Sequence, residues 1–433
     1  MAEKGRLNVI LGLQRGDEGK GRFVDLLAQK HDIVARFNGG PNAGHSIALN
    51  KDLEFKLHQV PAGVLYPGKL NVAGNGMLID PIRLLAEIAE IRAAGREVTP
   101  KNFAISDAAH MILPHHILLD EMREAGAAKQ GSTKRGIAYA AADKYERSGA
   151  RAELVAEAQD ELLARVTSGL QRVYELTNKT GNPEAEARAW LKEAVKLKPF
   201  ITDTVNLVRG RLESGDTMLA EGAQAFAIDI EHGMYPYVTS SHTTIGGVLN
   251  GLGVGPQHLG KVTGVVKAVK SHVGDGPFVS EITDEKLADK IRGERGKIDS
   301  EYGTSTGRPR RVGYLDLPEL KPAIKLNGVS EIALTKLDTL ARYGKSMPVA
   351  VKYKYLGQEI NEAPGNSAVK LAKCQPVYEE VELWQEDISE VKRFEDLPAN
   401  AQKLVKWLEE QLEVPIAMIG VGPNRDQVIL RSS

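Results

Sequence analysis

Apolar and polar positions along this chain follow two periods. Residues 9–13 form an unbroken apolar run, the pattern of a strand buried on both faces. Glycines at Gly12, Gly16, Gly19 and Gly21 then interrupt it, and Phe23, Val24, Leu26 and Leu27 resume at helical spacing. Residues 7–27 therefore read as strand, glycine loop and helix. Such a unit binds anions, because loop amides and the helix N-terminus point at the same place. Lys20 adds a mobile positive charge there. Asp17 and Glu18 lie in the same loop and would repel a phosphate. They make sense beside a metal ion, or if one of them takes a proton.

Further short strands are expected at 32–37, 70–72, 77–79, 217–219, 260–269, 332–334 and 417–419. After Asp80 a helix is expected, with Leu84, Leu85, Ile88 and Ile91 on one face, Asp80 as N-cap and Pro81 at N1. Residues 152–213 repeat Leu and Val at helical spacing and read as an inserted helical subdomain. A last helix is expected at 400–412. There is no internal repeat, low-complexity segment or long linker, which predicts one continuous domain over 1–433. Strands alternating with helices predict an α/β fold: a large, mostly parallel central sheet flanked by helices.

Composition narrows the partners. A formal net charge of −1 over 433 residues gives no global attraction to nucleic acid or an anionic membrane, so anion binding must be local. Cys374 is the sole cysteine, which excludes an internal disulfide and fits a reducing compartment. The start lacks the apolar segment of a signal peptide, and no stretch is long enough to span a bilayer. A cytoplasmic protein is expected.

Several polar segments carry candidate chemistry. Residues 38–45 are a glycine-rich loop presenting Asn42 and His45. His110, His115 and His116 lack a cysteine or paired acid at ligand spacing, and Pro114 breaks their register, so they read as structural. Residues 130–151 combine Ser132 and Thr133 with Lys134, Arg135, Lys144, Arg147 and Arg151, a flexible basic segment suited to phosphate. After a strand, residues 221–224 and 232–241 supply small and polar groups for a crevice. Residues 302–311 place Thr304, Ser305 and Thr306 among three arginines, an anion site. In residues 335–338, TKLD, Lys336 and Asp338 would point the same way on an extended segment, and such an Asp can pair with guanine.

Together these runs resemble the adenylosuccinate synthetase family: GDEGKG at 16–21, NAGH at 42–45, GST-R at 131–135 with Arg147 beyond, EGAQ at 221–224, HG-YPYVTSS at 232–241, TGRPRR at 306–311, TKLD at 335–338 and GP-R at 422–425. The resemblance covers nearly the whole chain and implies a fold like that of the P-loop GTPases. It also implies a GTP-dependent ligase that makes adenylosuccinate from IMP and L-aspartate with one magnesium ion per subunit.

By that resemblance Gly16, Asp17, Glu18, Gly19, Lys20, Gly21 and Arg22 would hold GTP, with Arg310. Lys336, Leu337 and Asp338 would read guanine over Gly420, Val421 and Gly422. IMP would lie against Asp17, Glu18, Gly19, Lys20, Asn42, Ala43, Gly44, His45, Thr133, Gln224, Thr239 and Arg308. Thr304, Ser305, Thr306, Gly307, Arg308, Pro309 and Arg310 would bind aspartate. Asp17, His45 and Lys20 would be catalytic: Asp17 takes the N1 proton of IMP, so that O6 attacks the γ-phosphate, and His45 stabilises the developing charge. Asp17 and Gly44 would ligate the metal. Arg147 would reach the IMP phosphate of a second subunit, which implies a homodimer.

The chain departs from the family pattern at Arg15, usually Trp, and at Ala138 and Tyr139, usually Gly and Pro. Ala225 replaces Gly, Gly420 replaces Ser, and His272 and Asp275 stand where Arg and a small residue are common. Related phage enzymes use dGMP and make a 2-amino product, and some lose the acid at the position of Asp17. Asp17 is retained here, so IMP is the expected purine. A GTP-binding switch without catalysis would leave Arg308 and Arg310 without a role. No GxGxxG with a downstream acid follows a strand, which excludes a dinucleotide oxidoreductase.

Overall fold

Leu7, Val9, Ile10 and Leu11 are all 1% exposed or less, so the first strand is covered on both faces. In the computed structural model, which describes residues 5–48, 54–127, 129–297, 299–303, 307–365 and 367–431, this strand lies inside a ten-stranded sheet. In chain order the strands are β1 (Leu7–Gly12), β2 (Ile33–Arg36), β3 (Leu70–Ala73), β4 (Phe103–Ser106), β5 (Ile201–Thr202), β6 (Met218–Glu221), β7 (Leu259–Lys267), β8 (Glu331–Thr335), β9 (Ile416–Gly420) and β10 (Val428–Leu430). Across the sheet the order is β10-β9-β8-β7-β1-β6-β2-β3-β4-β5. All pairs are parallel except β9 with β10.

Alternate residues of each strand feed opposite layers. Leu7, Val9 and Leu11 join one apolar cluster and Ile10 the other; Met218 and Ala220 join the first and Leu219 the second. Truncating Leu11 to Ala would cost on the order of 2–5 kcal/mol at such a site.

The helices follow the expected signals. α1 (Lys20–Ala28) starts at the glycine loop and buries Phe23 and Val24. α2 (Pro81–Ala93) is capped by the Asp80 carboxylate, which accepts from the Ile82 and Arg83 amides at 3.1 and 3.2 Å. α3 (Pro114–Ala125) and α4 (Ile137–Glu146) pack together. α4 corrects the flexible reading of 130–151: its alanines favour helix, started at Gly136 and ended at Arg147 in a left-handed conformation. Residues 152–213 hold four α-helices (Glu153–Glu157, Gln159–Thr177, Pro183–Ala194, Thr204–Glu213) and the edge strand β5. Ser346–Tyr355, Gln358–Ile360 and Gln375–Glu382 form a separate antiparallel sheet. Among the described residues no helix is long and apolar enough to cross a membrane.

Candidate active site

Parallel strands on both sides of β1 end at one edge of the sheet, where crevices form in such folds. The loop leaving β1 turns through left-handed conformations at Gly16 (φ 90°), Asp17 (φ 58°) and Gly19 (φ 84°). For Asp17 that conformation is strained by about 1–2 kcal/mol. Its carboxylate stays 45% exposed, and Arg310 Nη2 pairs with it at 2.9 Å.

Glu18 turns the other way. Its carboxylate is enclosed and accepts from the Gly16 amide at 2.8 Å, the Gln14 amide at 3.3 Å and Lys20 Nζ at 2.6 Å. Glu18 thus braces the loop from behind. Lys20 is not the mobile charge expected from sequence: it is buried and tethered to Glu18.

This loop forms part of the wall of a cavity of about 900 Å³, near the top of the usual range for ligand sites. Gly16 to Arg22, Asn42 to His45, Thr133, Gln224, Thr239, Gly307, Arg310, Lys336, Asp338 and Gly422 line it. Asn42 Oδ1 and both amide atoms of Gln224 are buried with no hydrogen-bond partner among the described residues. Buried polar atoms are nearly always paired, so such orphans lining a cavity point to a ligand.

His45 leaves the loop at 38–45 as the first residue of the strand His45–Ala48, and its Nδ1 bonds Glu221 Oε1. Glu221, the last residue of β6, also accepts the Ala62 amide at 2.9 Å. Burial lowers the His45 pKa despite the opposing charge of Glu221, and Arg36 and Lys20 lower it further. Burial alone would raise the Glu221 carboxyl, but His45 and Arg36 hold it below the usual carboxylate range. An ionised Glu221 accepts from Nδ1 and fixes the orientation of the ring. Sequence reasoning noted EGAQ without giving Glu221 this task; its place at a strand end was the available signal.

At the end of β8 the expectation of an extended segment fails. Lys336 is left-handed (φ 58°) and Asp338 opens a 3-10 turn, Asp338–Tyr343, because Thr335 Oγ1 is anchored to the Glu18 carbonyl at 2.7 Å and the chain must turn there. Lys336 Nζ reaches Glu301 and the Asp299 carbonyl. Burial raises the Asp338 pKa, against the charges of Lys336 and Arg22. Leu337 and Val421 are fully buried behind this end, and the Leu337 amide bonds the Gly420 carbonyl at 3.2 Å.

Arg15, which also lines the cavity, is tied down on its far side. Its guanidinium is enclosed, forks onto both oxygens of Glu319 at 3.0 and 2.8 Å, and caps the Pro277 carbonyl at 2.9 Å. Lys270 joins Glu319 and Asp316, each at 2.7 Å. Burial alone would raise the Glu319 carboxyl, but Arg15 and Lys270 hold it below the usual range. His272 is pushed down to about 3 by burial and the nearby Arg15, and its Nε2 lies 3.3 Å from the Asp275 carbonyl. Ala138 lines the cavity, and Tyr139 lies under the Arg123 guanidinium at 5.1 Å. Ala225 is buried, and its carbonyl accepts Thr243 Oγ1 at 3.0 Å.

Thr304, Ser305 and Thr306 lie outside the described residues. Pro309 forms an antiparallel bridge with Tyr302, and the Arg308 carbonyl accepts the Gly303 amide at 2.8 Å. Arg147 ends α4, exposed and outside the cavity. His115 and His116 do meet an acid, Asp143, brought over from α4, with ligand atoms within 4.8 Å of one another. However, His116 Nδ1 accepts the Leu113 amide at 3.0 Å, so Nε2 carries the proton donated to Asp143 at 2.9 Å. The cluster ties α3 to α4.

A model of the adenylosuccinate synthetase family matches residues 9–429. The adenylosuccinate synthetase of Acetivibrio thermocellus is 44% identical over 432 residues, 98% of this chain and 99% of its own. That of Caldanaerobacter subterraneus is 43% identical over 434 residues, again 98% and 99% of the two chains. The fully ligated adenylosuccinate synthetase of Plasmodium falciparum superposes with a TM-score of 0.91 at 36% identity, over 99% of this chain and 100% of that one. Cyanophage S-2L succinoaminodeoxyadenylate synthetase, solved with dGMP and dATP, shares the fold at a TM-score of 0.64 and 19% identity, over 100% and 97% of the two chains. On the match over residues 9–429 and these full-length relatives, the chain belongs to the adenylosuccinate synthetase family.

Proposed function

We propose that this chain joins IMP to L-aspartate at the expense of GTP, giving adenylosuccinate, GDP and phosphate. One observation carries the chemistry: a phosphate loop, the Asp17 carboxylate and a glutamate-held histidine line the same cavity. Phosphoryl transfer to a purine oxygen needs a proton acceptor on the purine, and positioning and charge compensation for the phosphate.

Asp17 takes the proton from N1 of IMP. The electron pair moves to O6, which attacks the γ-phosphate and releases GDP, leaving 6-phosphoryl-IMP. His45 donates from Nε2 to the oxygen as its imidazolium: ionised Glu221 holds the Nδ1 proton, and the negative charge of the bound phosphates favours the second ring proton against the burial that lowers its pKa. The aspartate amine then adds at C6, phosphate leaves, and the amine proton is lost. Arg310 and the arginines of the 307–311 segment suit the two carboxylates of aspartate. Asn42 Oδ1 and both amide atoms of Gln224, without partners among the described residues, are offered to the purine nucleotide. Asp338 suits the guanine edge, with Leu337, Val421 and Gly422 behind it.

Magnesium fits the donors at hand. The half-exposed Asp17 carboxylate and the carbonyl of exposed Gly44 are hard oxygen ligands, and such an ion keeps several waters. When bound it would offset phosphate charge. The free thiol of Cys374 fits a reducing, cytoplasmic setting. Exposed Arg147 suits a homodimer in which it reaches the partner's nucleotide phosphate.

The experiment is complementation. Asp17→Ala should abolish turnover and retain GDP binding. Arg147→Leu should raise the IMP requirement, and mixing the two inactive or impaired proteins should restore activity through hybrid sites. Full turnover by Asp17→Ala contradicts the proton-acceptor role; no recovery on mixing contradicts shared sites.

A further inference from the structure

Glu301 was not singled out by the sequence, yet it is 1% exposed and gathers three cations. Oε1 takes Lys336 Nζ. Oε2 takes Lys267 Nζ at 3.0 Å, Ser271 Oγ at 2.7 Å and Arg310 Nη1 at 2.8 Å. Each partner comes from a different element: Lys267 ends β7, Ser271 lies in the short strand Lys270–His272, Lys336 follows β8, and Arg310 follows the Tyr302–Pro309 bridge. The Glu301 carbonyl also accepts the Arg310 amide at 3.0 Å.

The two ends of this cluster are the ends of the site. Lys336 stands two residues before Asp338, at the guanine end. Arg310 uses Nη1 for Glu301 and Nη2 for Asp17 at 2.9 Å. An unbroken chain of charge contacts therefore runs Lys336–Glu301–Arg310–Asp17. Every link is an ion pair, and three of the four side chains are at least mostly buried.

We propose that Glu301 is a positioning residue that couples occupation of the guanine end to the placement of Arg310 and Asp17, an inference that rests on the function proposed above. A guanine base held at Lys336 and Asp338 fixes Lys336. Lys336 fixes the Glu301 carboxylate, which sets the Arg310 fork against Asp17 and the 307–310 segment. The ligase then needs no separate sensor for GTP: the base end and the reacting end share one carboxylate. The electrostatics agree. Burial alone would raise the Glu301 carboxyl, but Lys267, Lys336 and Arg310 hold it well below the usual range. Burial alone would lower Arg310, and Asp17 and Glu301 reverse that.

The test starts from wild-type turnover with GTP, IMP and aspartate; its absence overturns the assigned reaction, not the coupling. Glu301→Gln keeps shape and removes the charge. Its aspartate KM at saturating GTP should rise about 10-fold and kcat fall at least as much, a coupling of ordinary allosteric size, with partial rescue in Glu301→Asp. GDP affinity by calorimetry should also weaken. Wild-type kinetic constants together with a lowered melting temperature would show a purely structural ion cluster and overturn the proposal. Should Glu301→Gln fail to fold, Lys336→Met decides. At saturating GTP it should raise the aspartate KM about 5-fold, although Lys336 lies at the opposite end of the cluster from Asp17. A change in GTP KM alone overturns the coupling.

Discussion

Glu221 Oε1 holds the Nδ1 edge of His45 at the end of β6, while Oε2 accepts the Ala62 amide at 2.9 Å. The carboxylate is therefore fixed from two sides and fixes the ring in turn. In the amide of a Gln, the oxygen or the nitrogen could face Nδ1, and the charge that supports a protonated imidazole is lost. Glu221→Gln should lower kcat about 100-fold, the scale of a lost general acid, with GDP affinity unchanged. Stopped-flow phosphate release and GDP titration check this; an unchanged kcat contradicts the role given to Glu221.

Gly420 faces Arg22. A Cβ at residue 420 would stand 2.8 Å from Arg22 Nη1, an atom buried without a hydrogen-bond partner among the described residues. Burial lowers the Arg22 pKa, against the nearby Asp338 charge. The small residue at 420 therefore makes room for the Arg22 guanidinium near Asp338, the residue proposed to meet guanine. Gly420→Ala should raise the KM for GTP several-fold, and Arg22→Lys in the same chain should recover part of it, a coupling of about 0.5–3 kcal/mol. Strict additivity of the two changes would contradict this packing.

Acid should unfold the protein partly through buried neutral histidines. Burial pushes His110 and His115 down to about 4 and His272 to about 3. Unfolded, each titrates near the ordinary value of about 6.5. The unfolded chain therefore binds protons first, and stability present at neutral pH is lost as pH falls from about 6.5 toward 4. Each group contributes on the order of 3 kcal/mol when fully expressed. Denaturant melts at pH 7 and pH 4.5 should show a smaller loss in His115→Gln than in the wild type. Equal losses would contradict a buried neutral His115.

Local signals in the sequence specified the phosphate unit well. An apolar run, glycines and a helical repeat within residues 7–28 suffice to build β1, its loop and α1. The Asp80–Pro81 start of α2 was legible for the same reason: a cap acts on its own first turn. What stayed hidden depends on partners far away in sequence. His45 and Glu221 are separated by 176 residues, Arg15 and Glu319 by 304, and Lys336 and Glu301 by 35. Spacing alone cannot pair them. Glu18 and Lys20 were misjudged because a charge inside a phosphate loop can serve the loop itself. Lys336 was misjudged because a left-handed turn reverses the side that spacing predicts on an extended chain.

The departures from the family pattern sort by where they lie. Arg15 belongs to a buried set with Glu319, Lys270 and Asp316, and Tyr353 donates to that aspartate at 2.6 Å. Its guanidinium is held by Glu319 and the Pro277 carbonyl at the cavity wall. Asn42, Gln224 and Asp17 line the same cavity as Arg15.

The most direct measurement is phosphate release with GTP and aspartate in the presence of IMP, dGMP or GMP in turn. Release with IMP, dependent on aspartate and yielding adenylosuccinate, is the predicted result. Release with dGMP and none with IMP would contradict it.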